Sequence, residues 1–349
     1  MRHFRGSFLI AFACLLLAAW WGGGHGGVWM AVGLTLILSV LEVSLSFDNA
    51  VVNASVLREM DERWQRIFLT VGILIAVFGM RLFFPVAIVS AVTSMGMTDV
   101  ARMALHHPEE YARHLAASHV GIAAFGGVFL LLIFFSFLFN EKKELHWLGE
   151  AEKKLARLGK LKSFDLLLVL LALLGMYEWA PLTLEDRVAL LVAGLSGAAL
   201  FIALHGLDRC FSAEPEEAKN LLKGATRNGL TGFLYLEALD ASFSFDGVIG
   251  AFALTRDVVI IMLGLGIGAM FVRSLTVYLV RKGTLENYVF LEHGAHYAIG
   301  ALAVLMLAGI VTHIPEVVTG LVGAVFIALS VVSSVRYQRA LRGGSGKDG

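Results

Sequence analysis

Four carboxylates set in apolar sequence are the residues of this chain best suited to chemistry. Glu42 and Asp48 stand in Glu42-Val43-Ser44-Leu45-Ser46-Phe47-Asp48-Asn49, and Asp240 and Asp246 stand in Asp240-Ala241-Ser242-Phe243-Ser244-Phe245-Asp246-Gly247, about two hundred positions later. An ionised carboxylate at the middle of a bilayer helix costs about 2.5–3.5 kcal/mol on insertion scales. Carrying the same acidic positions twice needs a compensating use, and ion handling is the first candidate.

Glu, Asp, Ser and Asn supply hard oxygen ligands. Glu42, Ser46, Asp48, Asn49, Asp240, Ser244 and Asp246 together form an inventory that suits Mn²⁺, Ca²⁺ or Mg²⁺ as a transported substrate. The motif holds no thiolate and no histidine, which disfavours Cu(I) and makes a dedicated Zn²⁺ site a poorer fit. The same carboxylates could relay protons. The competing structural reading is that these polar groups hydrogen-bond helices to one another, as Ser and Asn commonly do in membranes.

At about 100° per residue, Glu42, Ser46, Asn49 and Asn53 share one stripe of an unbroken helix, and Glu237, Asp240 and Ser244 share one on the second copy. Asp48 and Asp246 fall off those stripes. Either each helix serves two polar surroundings, or it unwinds near Ser-Phe-Asp so that its oxygens converge.

Arg81 and Arg273 lie inside apolar runs, so each needs a carboxylate or a polar cavity. They would balance the charge of an empty site or form permanent ion pairs. Glu292 and His296, four residues apart, make a secondary candidate for metal or proton binding, against a simple helix-end pair. The segment His106-His107-Pro108-Glu109-Glu110 reads as a polar loop.

The elements that must position these groups are membrane helices. The chain of 349 residues is 58% hydrophobic and only 16% charged, with mean hydropathy +0.76, too apolar for a water-soluble domain. Apolar runs predict an all-α bundle of ten spans, near 8–21, 28–57, 67–90, 118–139, 164–180, 187–206, 229–254, 257–280, 296–313 and 316–335. The first run reads as a retained helix rather than a signal peptide, because Gly22 to Gly24 suit a turn. The basic clusters all fall on one face of a ten-span arrangement, which predicts a plasma (inner) membrane protein with both termini cytoplasmic.

In that topology the second and seventh spans run in opposite directions, so the two motif copies are antiparallel. Gly72 and Arg81 are nine apart, as are Gly264 and Arg273; Tyr111 and His119 are eight apart, as are Tyr288 and His296. Two inverted five-helix repeats account for this order, an architecture of secondary transporters. The first repeat would cover 1–163, ending in a Lys/Glu-rich cytoplasmic connector over 140–163. The second would cover 164–342, split by a cytoplasmic loop at 207–228, with a disordered tail at 343–349. Leu148, Leu155 and Leu158 share one face of the connector, which reads as a solvated link, a helix on the membrane surface, or a docking segment for a protein partner. The 28 basic residues equal the 28 acidic ones and form no stripe, so nucleic acid is not an expected partner. Cys14 and Cys210 form neither a disulfide framework nor a metal pair. No nucleophile motif, HExxH or phosphate loop is present, so neither an enzyme nor an organic cofactor is expected, though an intramembrane acid–base enzyme is the remaining catalytic alternative.

The run Leu41 to Ala50 resembles the signature of the TerC family of integral membrane proteins, named for tellurium resistance. The run Asp240 to Thr255 looks like that family's second acidic motif, and with Gly264 to Arg273 and Leu291 to His296 the likeness covers most of the chain and is closest to a TerC-like branch of unassigned function. The resemblance implies a helical transporter-like fold, export of manganese or another divalent cation, and roles in tellurite resistance and metal supply to exported proteins. It makes Glu42, Asp48, Asn49, Asp240 and Asp246 the expected ion-site residues. Gly247 stands where the first copy has Asn49, and the connector is longer than the family pattern.

Overall fold

The computed structural model describes residues 4–24, 27–58, 60–93, 95–141, 143, 145–161, 163–212, 229–281, 288–312 and 314–344. Among the described residues every regular element is helical. Each of the ten predicted apolar runs contains helix: α1 (Arg5–Gly24), α2 (Val28–Leu45) followed by α3 (Phe47–Leu57), α4 (Glu62–Leu74) continuing through a π-helical segment (Ile75–Phe83) into α5 (Phe84–Thr93), then α8 (His119–Leu138), α10 (Phe164–Trp179), α11 (Leu184–Ser212), α12 (Leu230–Leu254), α13 (Val258–Arg281), α14 (Leu291–Gly309) and α15 (Glu316–Gly344). Three shorter α-helices, α6 (Met97–His106), α7 (Pro108–Ala117) and α9 (Glu150–Ala156), and a 3₁₀ turn (Arg157–Lys160) complete the described order.

Seven of the described helices are long and apolar enough to cross a membrane, and the pair Glu62–Gly72 and Ile75–Ala91, which meet at 42°, makes an eighth if counted as one span rather than as a re-entrant loop. This is the build of a multi-pass membrane protein. The difference from ten has physical causes. Helix α10 has 16 residues, a rise of about 24 Å against a hydrocarbon core of about 30 Å. Helix α12 carries three acids, Glu237, Asp240 and Asp246.

By packing, the chain forms two compact units, one of residues 1–122 and 203–278, the other of 123–202 and 279–349. This division is distinct from the division by repeat, since each unit draws on both sequence halves.

In the first unit, Leu38, Val89, Val100, Leu115, Val248 and Leu265 lie in one buried apolar cluster. Helices α2 and α13 approach closely because Gly264 and Gly268 present no side chain: a Cβ on Gly264 would stand 2.5 Å from Leu38 Cβ and 3.1 Å from Thr35 O. Helix α13 is started by Asp257, whose Oδ1 accepts the Val259 and Ile260 amides at 2.9 and 3.2 Å, and whose Oδ2 accepts Trp21 Nε1–H at 2.8 Å. The segment expected to be a polar loop is instead the joint of two amphipathic helices. His107 links α6 to α7, Pro108 opens α7, and Val100, Met103, Tyr111 and Leu115 turn inward.

In the second unit, α14 and α15 touch through small and polar residues, with the Phe290 amide donating to Ser334 Oγ at 2.9 Å. The connector is not simply solvated. Glu152 in α9 is fully buried, while Leu148 and Leu155, which share the leucine face read from the sequence, are 55% and 38% exposed. The buried face is that of Glu152 and Ala156. It turns inward because Glu152 finds partners there: Lys143 Nζ donates to it, the Leu148 amide donates at 3.0 Å, and His293 Nε2 lies 3.6 Å away. The loop predicted at 207–228 and the tail at 343–349 lie for the most part outside the described residues; α15 extends to Gly344.

Candidate functional site

The first acidic helix is interrupted at one residue. Ser46 (φ −99°, ψ 17°) separates α2 from α3, although its amide still donates to Glu42 O at 2.9 Å and its carbonyl still accepts the Ala50 amide at 3.2 Å. The Ser46 hydroxyl donates to Glu42 Oε1 at 3.2 Å, a local bond of the kind that competes with regular helix. Glu42 is 2% exposed and forms an ion pair with Arg81 Nη2. Arg81 sits in the π-helical segment, where Nη1 donates to Ala76 O at 2.6 Å. The wider π turn redirects side chains relative to an α-helix, and such turns recur at functional sites.

The second copy is an unbroken helix. On α12, Glu237 and Asp240 share one guanidinium: Arg273 Nη2 stands 3.5 Å from Glu237 Oε1 and 4.0 Å from Asp240 Oδ2. The same nitrogen donates to Gly72 O at 2.8 Å, and the guanidinium lies 3.6 Å from the centre of the Phe68 ring. Gly72 makes this possible, because a Cβ there would stand 2.7 Å from Glu237 Oε1 and 3.3 Å from Arg273 Nη2.

Between these two groups is a small cavity of about 10 Å³ lined by Ser46, Asn49, Asn53, Arg81, Asp240, Ser244 and Arg273, among others. Its size matches one water molecule. Several buried atoms on or beside it have no hydrogen-bond partner: Asn53 Oδ1, Asp240 Oδ2, Ser244 Oγ, both Glu237 oxygens, Arg81 Nε and Arg273 Nη1. A buried polar atom left unpaired costs about 1–3 kcal/mol, so the group is suited to a small polar occupant. Oxygens outnumber nitrogens in this set.

The structure thus gathers Ser46, Asn49, Asp240 and Ser244 round one space, with Glu42 and Glu237 held beside it by Arg81 and Arg273. The side chains of Asp48 and Asp246 lie outside the described residues. Among the described residues, no three of His, Cys, Asp and Glu converge as a metal cluster; the available oxygens are of mixed type. Glu292 and His296 belong to the second unit and do not pair through their side chains. His296 Nδ1–H donates to the Glu292 backbone carbonyl at 2.9 Å, and its ring stacks on Phe137 at 4.0 Å.

Sequence reasoning missed the Lys143–Glu152–His293 group. His293 is buried and donates from Nε2 to Leu145 O at 3.0 Å. Burial by itself would raise the Glu152 pKa, but the bonds from Lys143 and the Leu148 amide outweigh it and hold the carboxyl below its ordinary value. The only sequence signal was the four-residue spacing of Glu152 and Ala156, which the leucine pattern obscured. Gly72, Gly247 and Gly268 were also missed as residues that make room for buried acids.

No curated protein and no solved structure matches this chain. The sequence pattern of one family does match, over residues 47–341. The match takes in Asp48, Asn49, both arginines and the whole second motif, and starts just after Glu42 and Ser46. Covering most of the chain, it places the protein in the DUF475 family of proteins of unknown function.

Proposed function

We propose that the protein is a secondary transporter that moves a hard divalent cation, with Mn²⁺ export the leading case and Ca²⁺ or Mg²⁺ the alternatives. The observation that carries this reading is one small cavity lined from both motif copies, flanked by two buried arginine–carboxylate groups and bordered by oxygens of Asn53, Asp240 and Ser244 that make no hydrogen bond. Serine, amide and carboxylate oxygens suit Mn²⁺, Ca²⁺ or Mg²⁺. In this reading the arginines hold the carboxylates while the site is empty, and a cation competes with Arg81 for Glu42.

The proposal includes ten spans in two inverted five-helix repeats, a plasma membrane location with both termini cytoplasmic, and protons as the candidate coupling ion. The glycine contacts support the repeat: Gly72 presses on Glu237 of α12, while Gly264 and Gly268 press on Leu38 and Glu42 of α2. A distant relationship to the TerC family would fit the same activity. Proteoliposomes of purified protein test it. Mn²⁺ uptake should be lost in the Asp48→Asn/Asp246→Asn double variant, with internal pH recorded alongside; equal flux in wild type and variant would sink the proposal.

A second reading, a metal-loading scaffold without net flux, is favoured by the exposed Leu148, Leu155 and Leu161 of the connector, which suit a protein or membrane surface. Mn²⁺ binding without flux in folded wild-type protein would select it.

A further inference from the structure

Glu42 is enclosed by glycine. Its Oε1 takes Ser46 and Arg81, while its Oε2 faces Gly247 of α12, where an added Cβ would stand 3.0 Å away. On the other side a Cβ at Gly268 of α13 would fall on Glu42 Cβ and Cγ and stand 3.0 Å from Ser39 O. Position 247 is the repeat equivalent of position 49, and the two copies use it differently. Asn49 lines the cavity; Gly247 leaves space for the acid of the other copy.

We infer that Gly247 and Gly268 form a slot that sets the position of the Glu42 carboxylate, and that Gly247 is a positioning residue for cation affinity. The inference rests on the transporter reading for its cation and on geometry alone for the slot. A side chain at 247 would crowd Glu42 Oε2, and the amide at this motif position is supplied by one copy only. At this position the site is asymmetric: the first copy contributes Asn49 to the cavity, while the second, which supplies Asp240 and Ser244 elsewhere on its lining, here leaves the clearance that lets Glu42 reach Arg81 or a cation.

The experiment is a two-residue cycle on purified full-length protein, read both by thermal unfolding without cation and by Mn²⁺ titration. Gly247→Ala puts a methyl against Glu42 Oε2; Glu42→Asp shortens the acid by one methylene. Gly268→Ala is avoided because it forces α2 and α13 apart. Gly33→Ala is the control, since its added Cβ meets nothing within 4 Å.

With Glu42 in place, Gly247→Ala should lower the melting temperature by several degrees and weaken Mn²⁺ binding about tenfold. In the Glu42→Asp background the same change should cost little in either readout. Additive effects on melting would overturn the slot. Rescue of melting with unchanged Mn²⁺ affinity throughout would overturn the role in affinity. Rescue of melting in a wild type that binds no Mn²⁺, Ca²⁺ or Mg²⁺ would uphold the slot and overturn the transporter reading.

Discussion

The two acidic motifs share a sequence pattern but not a conformation. The first copy is irregular: its helix breaks at Ser46, and the arginine that serves it sits in a π-helical stretch. The second copy is an uninterrupted α-helix, and Arg273 stands on another. The charge arrangement differs in parallel, with one acid on Arg81 and two on Arg273. The two stretches thus carry like chemical groups in different arrangements. Non-helical backbone at membrane depth is tolerated where it is enclosed in protein or lines a cavity, and Ser46 and Arg81 both line one.

The largest effect that could break this comparison comes from the arginines. Arg81→Gln strands one buried carboxylate and should cost about 3–5 kcal/mol, while Arg273→Gln strands two and should cost more. Denaturant unfolding in detergent measures both. Equal losses would mean that Arg273, like Arg81, holds only one carboxylate energetically.

A middle-sized effect sharpens the contrast with the second unit, whose Lys143–Glu152–His293 group has a saturated acceptor rather than unpaired ones. Glu152→Gln should cost about 1.5–3 kcal/mol, the value of hydrogen bonds to a charged group. Because the folded pKa of Glu152 lies below its ordinary value of 4.5, its contribution is present in full above that value and is lost as pH falls through the folded pKa. The protection of amides over 145–160, taken relative to their intrinsic exchange rates at each pH, should therefore fall in acid in the wild type. In Glu152→Gln protection should be low already at neutral pH and respond less to acid.

The smallest effect concerns the equivalent serines. Ser46→Ala removes a bond to Glu42 and should cost about 0.5–1 kcal/mol. Ser244→Ala removes a hydroxyl with no partner and should stay within about 0.5 kcal/mol of wild type or stabilise the protein. Matching losses at the two positions would remove the asymmetry between the copies.

Much of the fold was legible in the residues themselves. Every apolar run holds a helix, because length and hydropathy are local properties that any enclosing bundle must respect. The stripe of Ser46, Asn49 and Asn53 does face one space, since a single break at Ser46 leaves the helical phase nearly intact. The segment His106 to Glu110 reads as loop because its charges and its His-His-Pro joint hide the two helices that meet there, whose buried face is Val100, Met103, Tyr111 and Leu115. The connector was read on its leucines, whereas the buried face was set by what could satisfy Glu152.

The amino-acid sequence by itself determined that the chain is helical and apolar, that two acidic motifs recur within it, and that Arg81 and Arg273 require polar partners. Only the tertiary structure decided that Arg81 takes Glu42, that Arg273 is shared by Glu237 and Asp240, and that Gly247 faces Glu42. Periodicity and burial cost are fixed by neighbours along the chain. The choice among competing partners depends on the register of helices separated by up to two hundred residues, and packing against the far half supplies it.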